Sequence, residues 1–343
     1  MGGASIGVAS DGDALFTNPA GVGSEDGPDS KKIVRGLSMP NVTLGASRSS
    51  LPVLKAYKSP ANSGEKIEQI LLQSPQSGTP SYYFGAFPYI TISRFQLGLV
   101  LNSWAQGYRD TAEDGSQKID LYGISQSGVV AGFSLPYVSS GFSLGVTTRA
   151  IYRKSLILVL NSTAGSPPES NQTIKSSLNS TKGLGVDVGF LYQSSNLRLK
   201  PKMGLSLRDV GDTSYKSTKA EGNREVDVMN IGAGVSLNPR LGKWGTLTLA
   251  LDGQRLSDLR VDWPSKLHVG AEISGGGSEA KSLFALRCGY NGEGVTAGGS
   301  LDLVFFNLGV AWYSQSVSPQ TDTKAAKRMD ERLLLNLSID LRV

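Results

Sequence analysis

Apolar and polar residues alternate with a period of two along most of this chain. The clearest run is its last: Leu333, Leu335, Leu337, Ile339, Leu341 and Val343 are apolar, and Asn336, Ser338, Asp340 and Arg342 fall between them. Phe95–Leu101, Phe142–Val146, Leu184–Phe190, Leu247–Leu251 and Leu267–Ile273 repeat the pattern. Such runs, bounded by turn residues, are strands with one oily face. About fourteen are predicted by these signals. They span 33–48, 81–93, 95–109, 118–137, 142–157, 183–194, 197–211, 225–238, 245–257, 265–275, 282–291, 294–304, 307–316 and 332–343, with Pro40 interrupting the first.

Short connections (such as Ser93-Arg94, Ser195-Asn196 and Phe305-Phe306) alternate with connections that are longer on average, including 49–80, 110–117, 158–182 and 317–331. An even strand number with short turns at one end and long loops at the other describes an up-and-down outer-membrane barrel. A sandwich would also alternate, but its polar face would be rich in Lys and Glu. Here that face is mostly Gly, Ser, Thr and Asn, with scattered charges: Arg149, Arg153, Asp187, Arg198, Lys200, Lys202, Arg208, Asp252, Glu272, Arg287 and Asp302. Lipid offers no hydrogen-bond partners, so strands cross a bilayer only in a closed barrel. Aromatic residues are predicted to gather in two girdles. One holds Phe95, Tyr137, Phe142, Tyr192, Trp244, Phe305 and Phe306; the other holds Tyr82, Tyr83, Tyr108, Tyr122, Tyr152, Trp263, Tyr290 and Trp312.

Composition narrows the function. Gly is 42 of 343 residues without a repeat, against 15 Pro, which excludes collagen. The formal charge of +5 is too dilute to argue for nucleic acid. One Cys and one His leave neither a disulfide framework nor a multi-histidine metal centre, so no cofactor or metal is expected. No apolar stretch reaches the ~18 residues of a membrane helix. Met1-Gly-Gly-Ala-Ser lacks the features of a signal peptide, and the chain reads as a mature form whose leader has been replaced by Met1.

A barrel of this girth encloses more space than its own side chains fill. The small, polar residues 1–30 are the natural stopper, leaving 31–343 as the barrel. Within them runs Ala4-Ser5-Ile6-Gly7-Val8-Ala9-Ser10-Asp11-Gly12-Asp13-Ala14-Leu15-Phe16-Thr17-Asn18-Pro19-Ala20-Gly21. This segment resembles the start of the long-chain fatty-acid transporter (FadL) family of outer-membrane barrels, where a small-residue stretch with an Asp leads into Asn-Pro-Ala. The resemblance implies an N-terminal hatch that includes Asn18, Pro19 and Ala20. It also implies a fourteen-stranded barrel in a Gram-negative outer membrane and passive transport of hydrophobic or amphipathic small molecules, which leave sideways near a kinked third strand. PorV-type barrels share the motif, so a barrel that docks a partner protein, without a transported molecule, is the alternative. The residues themselves make sense of the motif. Pro19 holds Asn18 extended, and the Asn18 amide is free to bond the wall's backbone.

Catalysis has little support. His268 is predicted to face inward, whereas lipid hydrolases of this architecture need a base on the lipid side. Cys288 shares the outward face of Phe284 and Leu286. Asp11 and Asp13 lack the further oxygen ligands of a calcium loop. Loop 158–182 holds three Asn-x-Thr sequences, at Asn161, Asn171 and Asn179, which are chance products of its composition. The apolar spacing in 64–73 suits a short amphipathic helix over the barrel mouth.

Overall fold

A computed structural model describes residues 1–22, 34–50, 79–111, 117–135, 141–162, 178–194, 196–217, 225–276, 282–303, 305–317 and 328–341. The helix predicted over 64–73 and the sequence at Asn171 lie outside the described residues. Among the described residues are seventeen strand segments: β1 (Val34–Ser47), β2 (Ser81–Ala86), β3 (Tyr89–Ile92), β4 (Phe95–Thr111), β5 (Gln117–Leu135), β6 (Phe142–Ser162), β7 (Leu178–Gln193), β8 (Lys202–Arg208), β9 (Thr213–Ser217), β10 (Glu225–Asp227), β11 (Asn230–Leu237), β12 (Gly245–Gly253), β13 (Leu267–Gly275), β14 (Phe284–Tyr290), β15 (Val295–Leu303), β16 (Phe306–Val317) and β17 (Arg328–Leu341). Neighbours pair antiparallel, and β1 pairs with β17 to close the sheet on itself. Three crossings are broken in two (β2 with β3, β8 with β9, β10 with β11), so seventeen segments make fourteen crossings.

The alternation read from the sequence sets which face each residue takes. Leu97, Leu99 and Leu101 of β4, and Leu333, Leu335 and Leu337 of β17, point outward and are exposed, as are Leu249, Leu251, Leu286 and Leu308 around the wall. An apolar belt of that extent is stable only against acyl chains, and the closed sheet leaves no unpaired edge in the hydrocarbon. Leu249, the fifth of nine residues in β12, lies mid-wall. Leu249→Arg is expected to cost about 2–4 kcal/mol in urea titrations of barrels refolded into vesicles. Thr43→Lys, on the opposite face, is expected to cost less than about 1 kcal/mol in the same measurement.

Several expectations need correction. β4, the third crossing, is not kinked: it pairs with β5 over its whole 17-residue length without a register shift. The interruption lies in the first two crossings. β2 and β3 part at Phe87-Pro88, and the β1–β17 ladder skips between Ser38 and Asn41, around Met39-Pro40. Proline has no N–H for a ladder, and two prolines here face each other across neighbouring strands.

The seventh crossing starts at Lys202 rather than 197. Residues 196–200 form a turn closed by a Lys200 N–H bond to Leu197 O (2.9 Å), so Arg198 and Lys200 are not lumenal. Asn161 and Asn179 sit in strands, because β6 and β7 run past the predicted ends of that hairpin. The long-loop girdle is also thinner than predicted. Tyr82, Tyr152, Tyr290 and Trp312 face outward, but Tyr83, Tyr108 and Tyr122 face the lumen, where Tyr122 meets Trp104 at 5.1 Å and Arg328 stacks on Tyr108.

Candidate functional site

Residues 1–22 lie inside the barrel, and the wall is built to receive them. Asp11–Ala14 form one helical turn and Pro19–Gly21 a 3-10 turn. Asn18, ahead of Pro19, is extended (φ −150°, ψ 103°) and fully buried. Its amide nitrogen donates to Ile6 O (3.1 Å) and to Phe190 O of β7 (3.0 Å), and its oxygen accepts from Ala20 N (3.2 Å). One side chain thus ties two passes of the segment to each other and to the wall. The wall gives way where the motif sits: a Cβ on Gly145 would strike Pro19, and one on Gly189 would strike the Asn18 oxygen. Close backbone approach at these two points requires glycine.

Further contacts run around the circumference. Asp252 of β12 accepts from Ser5 N (2.5 Å) and Ile6 N (2.6 Å). The Thr296 hydroxyl of β15 accepts from Gly2 N (3.0 Å), and Gln254 donates to Gly3 O (2.7 Å). Ser206, Ser143 and Ser134 donate to the carbonyls of Thr17, Ala20 and Val22. His268 Nδ1 lies 2.9 Å from Gly2 O, so its ring faces this segment. Leu15 and Val22 pack with Val100, Val130 and Ile151 of the wall, with Phe16 and Phe87 against them.

Sequence reasoning missed this small core. Its signal was present: in Leu99-Val100-Leu101 and Val129-Val130 an apolar residue stands where alternation calls for a polar one.

Beyond the segment the lumen widens into a chamber of about 720 Å³. Asp13 opens onto it; it is reachable by water there but surrounded by protein, and this desolvation pushes its carboxyl up, with the Arg287 charge opposing. Toward the long loops the lumen is bridged. Arg332 of β17 bonds Asp330 (2.9 Å), Gln315 (2.8 Å) and, past the inner faces of β1 and β2, Gln106 of β4 (2.9 Å). Both Arg332 and Asp330 are buried.

Elsewhere in the lumen, several of the predicted charges are ion-paired, two of them with Asp209 and Asp227, which the alternation did not single out. Arg149 contacts Asp187 (3.0 Å) and Asp209 (2.7 Å), Arg153 contacts Asp227 (2.6 Å), and Arg287 contacts Glu272 (2.6 Å). Cys288 is exposed on the outer wall, beside an apolar concavity of about 750 Å³ that faces the lipid.

No family model matches the chain, and no curated protein matches it in sequence. Solved structures do match in fold. A deltaS2 mutant of the TodX monoaromatic hydrocarbon channel superposes with a TM-score of 0.54 at 12% identity, covering 99% of this chain and 97% of that one. The CymD monoaromatic hydrocarbon channel gives 0.52 at 12% identity, covering 99% and 94%. With its closed wall of fourteen antiparallel crossings and its outward apolar belt, the chain has the fold of these hydrocarbon channels, a fourteen-stranded membrane β-barrel.

Proposed function

We propose that this barrel lets hydrophobic and amphipathic small molecules cross the outer membrane passively, with the N-terminal residues up to about 30 acting as a hatch. The observation that carries this reading is the seating of residues 1–22 inside the barrel, where Asn18 is held to β7 by hydrogen bonds rather than by a continuous strand, while Met1, Asp13 and Phe16 border a sizeable chamber. Such contacts are individually modest and exchangeable for water, as a movable stopper requires. The proline-interrupted wall at Phe87-Pro88 and Met39-Pro40 supplies the side exit: Phe87 touches Phe16 of the hatch at 4.7 Å, so displacement of the hatch uncovers that wall. The TodX and CymD channels, by their descriptions, carry monoaromatic hydrocarbons, which agrees with a hydrophobic cargo.

Asn18→Ala tests the reading. It strands buried partners of the amide, including Ile6 O and Ala20 N, and weakens seating by about 3 kcal/mol, roughly a hundredfold rise in the undocked fraction. Faster uptake of aromatic tracers into proteoliposomes, with an unchanged barrel by circular dichroism, is the expected result. Wild-type uptake removes the motif's role. Gly189→Leu, which pushes on Asn18 from the wall, is expected to act in the same direction.

The ion-paired lumen favours a second reading, a barrel that docks a partner protein. A stoichiometric partner on copurification, together with no small-molecule flux, selects it.

A further inference from the structure

Beside the N-terminal segment lie two adjoining spaces. The smaller, about 190 Å³, sits at the wall interruption, lined by Phe16, Phe87 and Val100 and also by Asn41, Thr43 and Asn102. An apolar cavity of about 150 Å³ takes up one benzene ring, so this space suits a single ring. Phe16 and Phe87 also border the larger chamber, so the two spaces communicate.

The chamber is likewise mixed. It is faced by carboxamides and hydroxyls, and its charged side chains among the described residues are Asp13 and Arg287. Arg287 is occupied by Glu272 (2.6 Å) and Ser300 (2.9 Å). The Met1 ammonium and the Asp13 carboxylate border the chamber with opposite signs, and Arg287 is matched by Glu272, so the lining carries no net charge and a neutral molecule fits best. The Asn307 carboxamide and the Tyr83 and Tyr313 hydroxyls face this space without a protein hydrogen-bond partner among the described residues. Convergent unpaired polar groups beside the aromatic edge formed by Phe16 and Phe87 are how a site orients a ligand that is oily at one end and polar at the other.

We propose that the chamber recognises an uncharged amphiphile with one aromatic ring and several hydroxyl groups, of the aryl glycoside class, rather than a bare hydrocarbon. The ring occupies the recess at Phe16 and Phe87, and the hydroxyls face Asn307 and Tyr313. This inference rests on the uptake reading for its biological sense, but its chemistry can be tested apart from it.

The test uses the full chain in lipid nanodiscs with tritiated phenyl β-glucoside, corrected against empty nanodiscs. Cyclohexyl phenyl ether, its hydroxyl-free counterpart, and phenyl glucuronide, its anionic counterpart, serve as competitors. Saturable binding of the glucoside, with weak competition by both, is expected. Asn307→Leu and Tyr313→Phe should each weaken binding about fivefold, and Leu308→Ala on the outer face should leave it unchanged. Absence of saturable glucoside binding, or displacement by the ether at lower concentration than the glucoside itself, overturns the inference and leaves the uptake reading standing. Glucoside binding without tracer flux in proteoliposomes supports the inference and overturns the uptake reading.

Discussion

Deleting residues 1–22 is expected to raise single-channel conductance in planar bilayers at least about tenfold, with the barrel still folded. The diameter of a barrel grows with its strand number, and fourteen crossings leave a lumen that wall side chains alone do not fill. The deleted segment fills that lumen through Asn18, Asp252, Thr296 and the three serine contacts. Its removal returns Asp252 and the wall glycines to water, which rehydrates them, so the strand ladders lose no partner. The main apolar loss is the small cluster around Leu15 and Val130, with Ile6 against the wall at Gly232 beside it. Liposome swelling with neutral solutes gives a second readout. Unchanged conductance in the deleted, folded barrel would show that another element closes the lumen, and the Arg332 bridge would then be first to test. Arg332→Ala in the intact chain is expected to leave conductance near wild type if the N-terminal segment is the main barrier.

Arg149→Met should have the largest effect on stability, a loss of about 3–5 kcal/mol, read by urea unfolding in vesicles. The seventh crossing breaks between β8 and β9, where Asp209, Gly211 and Asp212 all take positive φ (55°, 79° and 62°). Arg149 spans that break from β6, joining Asp187 of β7 to Asp209 of the turn. Asp187 also accepts from Asp209 N (2.8 Å), and Thr213 donates to Asp209 (2.6 Å). Removing the guanidinium leaves two carboxylates facing each other with little water to separate them. Replacing all three together, as Arg149→Met with Asp187→Asn and Asp209→Asn, should recover most of the loss, because no buried charge is then left unpaired. Arg48→Ala offers the contrast: its pair with Glu331 is largely exposed, and its loss should cost under about 1 kcal/mol.

Much of this architecture is legible in the residues because lipid enforces period-two alternation strictly. Leu333 through Leu341 needs no tertiary knowledge to be read as a wall with an oily outer face. Alternation fixes a residue's face but says nothing of what lies opposite it. The placement of Tyr108 and Tyr122 in the lumen follows from parity along β4 and β5, yet aromatic character alone pointed to the membrane interface. The amide of Asn18 was readable as a hydrogen-bonding group beside a proline-fixed turn. Its partner Phe190 O was not, because the two are 172 residues apart and meet only once the sheet has closed. The same holds for Arg332 and Gln106, separated by 226 residues. Pro40 was legible as an interruption of the first strand. Pairing it with Pro88 in the neighbouring crossing required the register of β1 against β2 and β3.

The ring of contacts made by residues 1–22 also works as a gauge of circumference. Asn18 reaches β7, Asp252 on β12 holds Ser5 and Ile6, and Thr296 on β15 holds Gly2, so one short peptide touches widely spaced staves of the cylinder. A cylinder assembled with one hairpin too many or too few would separate these points by a stave's width or more, and all three attachments would fail together. The peptide therefore favours a single girth during assembly, much as a cooper's template does.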